Sequence, residues 1–200
     1  MKTVTIFLCL ALFFSCASEP LNVRYYLLHT PENTVPDTSD KTKPIVVLQL
    51  LDIADYLRQS SLVMQIDEHE LHYSRQDVWA EKLQSSFYKA LLQDLNATDH
   101  RDYVASYSPI AKDAMAAITI KLEHFHATDS STVVSSGQYW LSENAPQTSK
   151  NQHIMTSTHS FFFESPLKRD GYAHAVEQLR TLLERLAKQI EKDIAVMPNN

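Results

Sequence analysis

Hydrophobic and polar residues alternate along several segments of the chain, a pattern typical of β-strands with one buried face. The clearest example is AITIKLEHF at residues 117–125, where Ile118, Ile120 and Leu122 share one face. PIVVLQLLDI at residues 44–53 is instead a nearly continuous apolar run, which predicts a strand buried on both faces. We therefore predict a β-sheet in which one strand is covered on both sides.

Shorter apolar or alternating segments predict the remaining strands. They lie at residues 22–28, 60–66, 70–74, 102–108, 133–141 and 153–164. The second and third of these are expected to form a hairpin that turns at Asp67 and Glu68, where polar residues interrupt the apolar pattern.

Two other segments repeat apolar residues every three or four positions, as amphipathic helices do. The first contains Trp79, Leu83, Phe87, Leu91 and Leu95, and the second contains Tyr172, Val176, Leu179, Leu183, Leu186, Ile190 and Ile194. Asp77 is expected at the N-cap or in the first turn of the first helix, because its carboxylate can accept hydrogen bonds from free N–H groups. The order of elements predicts an α+β domain in which two amphipathic helices pack on a mostly antiparallel sheet.

The N-terminal segment has the pattern of a secretory signal. Residues 4–14 are apolar apart from Thr5 and follow Lys2, and the run is too short to span a bilayer, which needs roughly 20 apolar residues. Cys9 lies inside this segment, so the mature chain keeps at most Cys16 and forms no internal disulfide.

Two cleavage sites are consistent with this signal. Ordinary cleavage after Ala17 would leave Ser18 as the first residue, whereas cleavage before Cys16, at a lipobox-like sequence, would leave the cysteine to carry a lipid. We favour the second, because a lone thiol at the N-terminus of an exported chain has little use in folding. Residues 1–15 are then a lipoprotein signal peptide, and residues 16–200 form a single domain.

Charge and glycine content exclude several classes of function. The formal net charge of −6 and the pI near 5.8 argue against binding to nucleic acid or to anionic lipid head groups. The chain contains only Gly137 and Gly171, too few for a glycine-rich loop that cradles phosphates.

Candidate catalytic and metal-binding residues are scattered along the sequence. His69 and His72 lie in the predicted hairpin. His124 and His126 are two residues apart on a predicted strand, so their side chains are expected on one face. Neither pattern supplies the three or four converging ligands of a zinc site. No serine has a recognisable nucleophile context. We therefore predict a protein that is not an enzyme and holds neither a metal nor a cofactor other than the covalent lipid.

Three consecutive aromatic residues, Phe161, Phe162 and Phe163, fall on a predicted strand and must point to both of its faces. At least one of them therefore needs a cover beyond a single core layer. We interpret this cover as a protein interface, and a second buried face remains the alternative.

Several segments together resemble a known family. They are YYLL at residues 25–28, VVLQLLDIADYLRQSSLVMQ at 46–65, DVWAEKL at 77–83 and LERLAKQIEKDI at 183–194. In this order they resemble the auxiliary lipoproteins of bacterial ABC-type and MCE lipid-transport systems, the PqiC (YmbA) family. The resemblance spans nearly the whole mature chain.

This resemblance implies a non-enzymatic lipoprotein, acylated on Cys16 with chains such as palmitate, that faces the periplasm from the outer membrane. Ala17, the residue after the cysteine, favours the outer membrane by analogy with other lipoproteins. The implied partner is a PqiB-like MCE-domain protein that moves phospholipid and maintains membrane integrity, with the ATPase and permease on separate chains. We expect the partner to contact Tyr56, Leu57, Phe161, Phe162 and Phe163.

Two other functions remain open from the sequence. One is a soluble periplasmic hydrolase that starts at Ser18 and assembles a Ser/His site by folding. The other is a carrier that binds an apolar ligand between a helix and the sheet. The sequence is also compatible with a homo-oligomer.

Overall fold

A computed structural model describes residues 21–31, 43–98, 100–143 and 156–196. Within these ranges the side chains of Leu50 and Leu51 are not described. The predictions for the signal peptide and for Cys16 lie outside the described residues.

Eight strands and two α-helices follow one another along the described residues in the predicted order, with four strands before each helix. The strands are β1 (Arg24–Tyr26), β2 (Ile45–Ile53), β3 (Ser61–Asp67), β4 (Glu70–Trp79), β5 (Asp102–Ala105), β6 (Ala116–Thr128), β7 (Thr132–Glu143) and β8 (Thr156–Pro166). The helices are α1 (Leu83–Asn96) and α2 (Tyr172–Ala195), and 3-10 turns lie at Asp55–Leu57 and Pro109–Asp113. The α+β class with two helices is confirmed.

The sheet is mixed, so the prediction of a mostly antiparallel sheet is wrong. The pairs β1–β4, β2–β5, β2–β6 and β3–β6 are parallel, and the pairs β3–β4, β6–β7 and β7–β8 are antiparallel. Strand β6 lies between β7 on one edge and both β2 and β3 on the other. The chain between β2 and β3 passes through the 3-10 turn at Asp55–Leu57 without reversing, so both strands run parallel to β6.

A β-bulge changes which side chains of β6 face the core. Leu122 pairs with Gly137 and His124 pairs with Ser136, so Glu123 is the extra residue on this strand. Ile118, Ile120 and Leu122 are fully buried on the face that packs against the helices, as the alternation predicted. After the bulge Phe125 and Ala127 occupy that face instead, because one added residue shifts the alternation by one.

The main core lies between the sheet and the two helices. Helix α1 contributes Phe87, Leu91 and Leu95, and α2 contributes Leu179, Leu183, Leu186 and Ile190. These are the positions that the helical periodicity predicted, and each of these side chains is buried. One end of the opposite sheet face carries a second, smaller cluster under the 3-10 turn at Pro109–Asp113.

Strand β2 is covered on both faces where its side chains are described. Val46 and Leu48 join the main core, whereas Val47 packs with Val104 and Ala117 in the smaller cluster. The continuous apolar run that starts β2 is therefore explained by two layers of cover.

The start of the first helix differs from the prediction. Asp77 and Trp79 lie in β4, and α1 begins at Leu83. Asp77 is 3% exposed and binds the guanidinium of Arg24 at 2.7 Å and the hydroxyl of Tyr26 at 2.8 Å, so it fixes β1 and does not cap a helix. The four-residue spacing between Trp79 and Leu83 does not reflect a helix, because the chain changes from strand to helix between them.

Candidate functional site

The face of the sheet opposite the helices carries a group of aromatic and histidine side chains. We call Tyr56, His124, His126, Ser136 and Phe162 the outer patch. The bulge at Glu123 creates it, since without the extra residue the two histidines would face the helices. Sequence alternation alone could not locate this patch.

Tyr56 connects the 3-10 turn to the bulge. Its hydroxyl donates a hydrogen bond of 2.8 Å to the backbone carbonyl of Glu123, the extra residue of β6. Its ring meets the ring of His126 edge-on, with 5.9 Å between centroids. Burial raises the pKa of Tyr56, so its hydroxyl stays protonated and remains a donor.

The two histidines of the outer patch contact each other and differ in exposure. His124 is exposed and hydrogen-bonded to the hydroxyl of Ser136 at 2.8 Å, whereas His126 is buried. The Nδ1–H of His126 donates to the carbonyl of Ala127 at 2.9 Å. Burial lowers the pKa of His126, with a smaller contribution from His124, so its ring is neutral at neutral pH.

Of the three consecutive phenylalanines, only Phe162 lies on the outer patch. It pairs with Ser136 across β7 and β8 and is 67% exposed. Phe161 is 5% exposed and belongs to the core, and Phe163 lies on the helix side under the guanidinium of Arg185, 4.7 Å from the ring centroid. The three side chains therefore do not form one surface.

Leu57 also departs from the expected interface. It is 2% exposed and packs in the main core, because the 3-10 turn that presents Tyr56 directs the next residue inward. A partner that docks on the folded domain would contact neither Leu57 nor Phe161. The structure brings together only Tyr56 and Phe162 from the predicted contact set, with the histidines between them.

A pocket of about 280 Å³ lies between the first turn of α2 and the adjoining ends of β3 and β6. We call it the α2 pocket. Its apolar wall consists of Met64, Ala127, Leu167, Tyr172 and Ala175. This is the position between helix and sheet at which a carrier was expected to bind its ligand. No sequence pattern indicated the pocket, because its lining residues come from segments that are distant in sequence.

A serine, a histidine and an aspartate meet at the far end of α2. His159 binds the hydroxyl of Ser157 at 2.9 Å through Nε2 and the carboxylate of Asp193 at 3.2 Å through Nδ1. The histidine ring stacks on Tyr139, with 4.9 Å between centroids, and the hydroxyl of Tyr139 donates to the same carboxylate. The order of contacts is that of a Ser-His-Asp triad.

The surroundings of this cluster do not suit acyl transfer. Asp193 lies in the last turn of α2, where the helix dipole is negative and would destabilise an oxyanion. Ser157 is exposed on a strand and does not line the α2 pocket. We interpret the cluster as a structural contact between β8 and α2.

Metal-binding clusters and membrane-spanning helices are both absent from the described ranges. There, no group of three or more His, Cys, Asp and Glu side chains is arranged to hold a metal ion. None of the helices in those same ranges has the length and apolar character needed to cross a membrane.

Comparison with known proteins gives consistent matches over most of the chain. The sequence model of the family described as ABC-type transport auxiliary lipoprotein component matches residues 26–191. The intermembrane transport lipoprotein PqiC of Escherichia coli K12 is 22% identical over 183 residues, which are 92% of each chain.

Solved structures also share this fold. The crystal structure of an uncharacterized protein superposes with a TM-score of 0.69 and 20% identity, covering 86% of this chain and 99% of the other. Protein XCC0632 from Xanthomonas campestris gives a TM-score of 0.58 with 10% identity, covering 74% and 81% of the two chains. At these identities the superpositions show a common fold.

Proposed function

We propose a docking role for this chain from the premise that it belongs to the family of ABC-type transport auxiliary lipoprotein components. In this proposal the chain is anchored through lipid on Cys16 in the outer membrane and faces the periplasm. There it binds an MCE-domain protein that carries phospholipid between membranes. It contributes a surface to this transport system and catalyses no reaction.

The observation that carries the proposal is the family match over residues 26–191, which includes every described element from β2 onward except the last few residues of α2. The relative PqiC is named for intermembrane transport, which supports a role between two membranes. An auxiliary protein of this kind needs an anchor and a surface for its partner.

The outer patch is the surface that we propose for the partner. Phe162 is a large, exposed apolar side chain, and aromatic residues at the centre of an interface contribute most of the binding energy. Tyr56 is held by hydrogen bond and ring contact, so little conformational entropy is lost when it is covered.

The dimensions of the α2 pocket favour docking over lipid carriage. Its volume of about 280 Å³ lies at the lower limit of the range of roughly 300–1,000 Å³ that is usual for pockets that enclose a drug-sized ligand. A phospholipid with two acyl chains is larger than such a ligand. Lipid extraction from the purified, deacylated domain, followed by mass spectrometry, is expected to give no stoichiometric phospholipid.

The docking surface is tested by binding to the MCE-domain protein of the same organism. Phe162→Asp is expected to weaken binding by at least roughly tenfold, because it places a charge at the centre of the contact. Tyr107→Asp is the matched control, because Tyr107 is 86% exposed and lies outside the outer patch. Unchanged binding by a folded Tyr56→Ala/Phe162→Asp double variant would exclude this surface.

The anchor is tested separately by the intact mass of the mature protein. We expect the N-terminal residue to be an acylated Cys16, and the Cys16→Ala variant to leave the membrane fraction. A mature chain that begins at Ser18 and is freely soluble would contradict the anchor and would support the soluble alternative.

A further inference from the structure

The apolar wall of the α2 pocket includes two small residues. Ala127 of β6 and Ala175 of α2 are both buried, and larger side chains at these positions would fill the space between strand and helix. Met64 and Tyr172 add further apolar wall. The result is a concave apolar surface beside the start of a helix.

Hydrogen bonds hold the rim of the pocket in place. The backbone N–H of Leu167 donates to the carbonyl of Ser131 at 2.7 Å, and the N–H of Asp129 donates to the carbonyl of Gln65 at 2.8 Å. On the other side the backbone N–H of Lys168 donates to Nε2 of His174 at 3.3 Å, which connects the chain before α2 to the helix. A pocket with a fixed rim loses little entropy when it is occupied.

The mouth of the pocket is acidic. Asp129 and Asp170 line it, and within the described residues neither takes part in an ion pair. Arg169 also lines the mouth, but its guanidinium is bound to Glu177 at 2.9 Å. Asp129 accepts a hydrogen bond of 3.2 Å from the hydroxyl of Ser130, which leaves its negative charge in place. The positive end of the α2 dipole, equivalent to roughly half a charge, does not neutralise the two carboxylates.

Size and charge together select the class of occupant. A volume of about 280 Å³ accommodates one large apolar side chain, and the acidic mouth favours positive charge next to it. We infer that the α2 pocket receives an apolar side chain from a peptide segment of the docked transport protein, with lysine or arginine beside that side chain. This inference rests on the proposed docking function and adds a second contact to it.

The location of the pocket is consistent with use by the same partner. Ala127 lines the pocket, and its neighbour His126 belongs to the outer patch on the other face of β6. The two sites therefore lie on opposite sides of one end of a single strand. A partner that covers the outer patch has this end of the sheet within reach of an extended segment.

The pocket is tested by filling it. Ala175→Leu occupies the pocket, and we expect it to weaken binding of the MCE-domain protein to the full mature chain by at least roughly tenfold. Thermal unfolding and circular dichroism verify that the variant is folded. Wild-type affinity in the folded Ala175→Leu variant would overturn the inference.

The charge of the mouth is tested without disturbing the core. Asp129→Asn and Asp170→Asn are each expected to weaken binding roughly three- to tenfold at low salt, with the difference from wild type shrinking at high salt. Asp113→Asn is the matched control, because Asp113 is an exposed carboxylate in the 3-10 turn far along the sheet. If both mouth variants behave like this control, the inference that lysine or arginine lies beside the apolar side chain is wrong.

Two further outcomes separate this inference from the proposed function. If the wild-type chain does not bind the MCE-domain protein at all, the docking function fails and the pocket contact fails with it. If the wild type binds, and binding by Ala175→Leu is unchanged while phospholipid copurified with the wild type is lost, docking stands. In that case the pocket is a lipid site, and the inference about a peptide segment is overturned.

Discussion

The hydroxyl of Tyr56 donates a hydrogen bond to the backbone carbonyl of Glu123, the residue that interrupts the regular pairing of β6 with β7. The contact joins the turn after β2 to a strand that follows much later in the chain. It satisfies a carbonyl that the bulge leaves outside the ladder, and it fixes the ring of Tyr56 against His126. Tyr56 therefore has a structural role that is separable from the docking role that we propose for it.

Replacing Tyr56 with phenylalanine separates these roles. Tyr56→Phe keeps the ring and removes the donor, so we expect the free energy of unfolding to fall by about 1 kcal/mol while binding to the MCE-domain protein is retained. Tyr56→Ala is expected to lose both stability and binding. Denaturant unfolding and a binding titration on the same samples measure the two effects, and a Tyr56→Phe variant as stable as wild type would contradict the role of the hydrogen bond.

Gly137 is expected to be intolerant of any side chain. A Cβ at this position would overlap the carbonyl oxygen of Lys121 and lie 3.1 Å from the ring of Phe161. Gly137→Ala should therefore reduce the free energy of unfolding by about 3 kcal/mol. Gly171→Ala is the comparison, because a Cβ there meets nothing within 4 Å and is disfavoured only by the backbone φ of 102°. It should cost about 1 kcal/mol, and equal losses in both variants would contradict the packing of Phe161 over Gly137.

His126 should make the stability of the domain depend on pH. Burial lowers its pKa in the folded state below the ordinary value of 6.5, so the unfolded chain binds a proton at a higher pH than the folded one. The stabilisation is complete above about pH 6.5 and is lost as the pH falls below it. We expect the free energy of unfolding to fall less in His126→Gln than in wild type between pH 7 and pH 5. Urea unfolding of both proteins at intervals of about one pH unit measures this difference.

The control for this pH dependence is His69→Gln, because His69 is exposed at the turn between β3 and β4. It should retain the pH dependence of the wild type. His124 is unsuitable as a control, because its ring contacts that of His126 at 5.7 Å. Equal pH dependence in wild type and His126→Gln would show that other groups are responsible.

Arg180 and Asp94 connect the two helices, with N–O distances of 2.6 and 2.5 Å to the two carboxylate oxygens. Burial raises the pKa of Asp94 even though Arg180 acts in the opposite direction, so loss of the guanidinium would leave a poorly solvated carboxylate. Arg180→Ala should reduce the free energy of unfolding by about 2 kcal/mol, and adding Asp94→Asn should restore part of it. Arg58→Ala, which breaks exposed ion pairs with Asp52 and Asp55, is the control and should change stability little.

The cluster of Ser157, His159 and Asp193 should be unreactive as a nucleophile. We expect a fluorophosphonate probe to leave Ser157 unlabelled, and Ser157→Ala to leave binding to the transport partner unchanged. Asp193→Ala should instead lower stability, since it removes the acceptor of both Tyr139 and His159. Stoichiometric labelling of Ser157 that disappears in His159→Ala would establish an activated nucleophile and contradict the non-enzymatic role that we propose.

The sequence predicts the elements of this fold better than their connections. Ile118 and Ile120 alternate as a half-buried strand, and Leu183 and Leu186 follow helical spacing, because burial on one face imposes a local period. The parallel pairing of β2 and β3 with β6 depends on contacts between distant segments. Local periodicity contains no information about such pairing.

The outer patch shows why the candidate site was only partly predictable. A strict alternation from Ile118 would place His124 and His126 towards the helices, and a single extra residue at Glu123 places them on the opposite face. Trp79 illustrates the same limit, because its spacing to Leu83 fits a helix while its backbone pairs with β1. In both cases the deciding contact comes from a residue far away in sequence.

The position of β6 between three strands has a consequence for how the chain acquires its structure. Strands β2 and β3 precede β6 by many residues, and β7 follows it, so the middle of the sheet closes only when residues 116–128 are available. Until then the apolar run of β2 lacks its central partner. Such non-local closure slows folding and prolongs the exposure of apolar, aggregation-prone segments. Newly made chains should therefore depend on holding chaperones more than a helical bundle of the same length does.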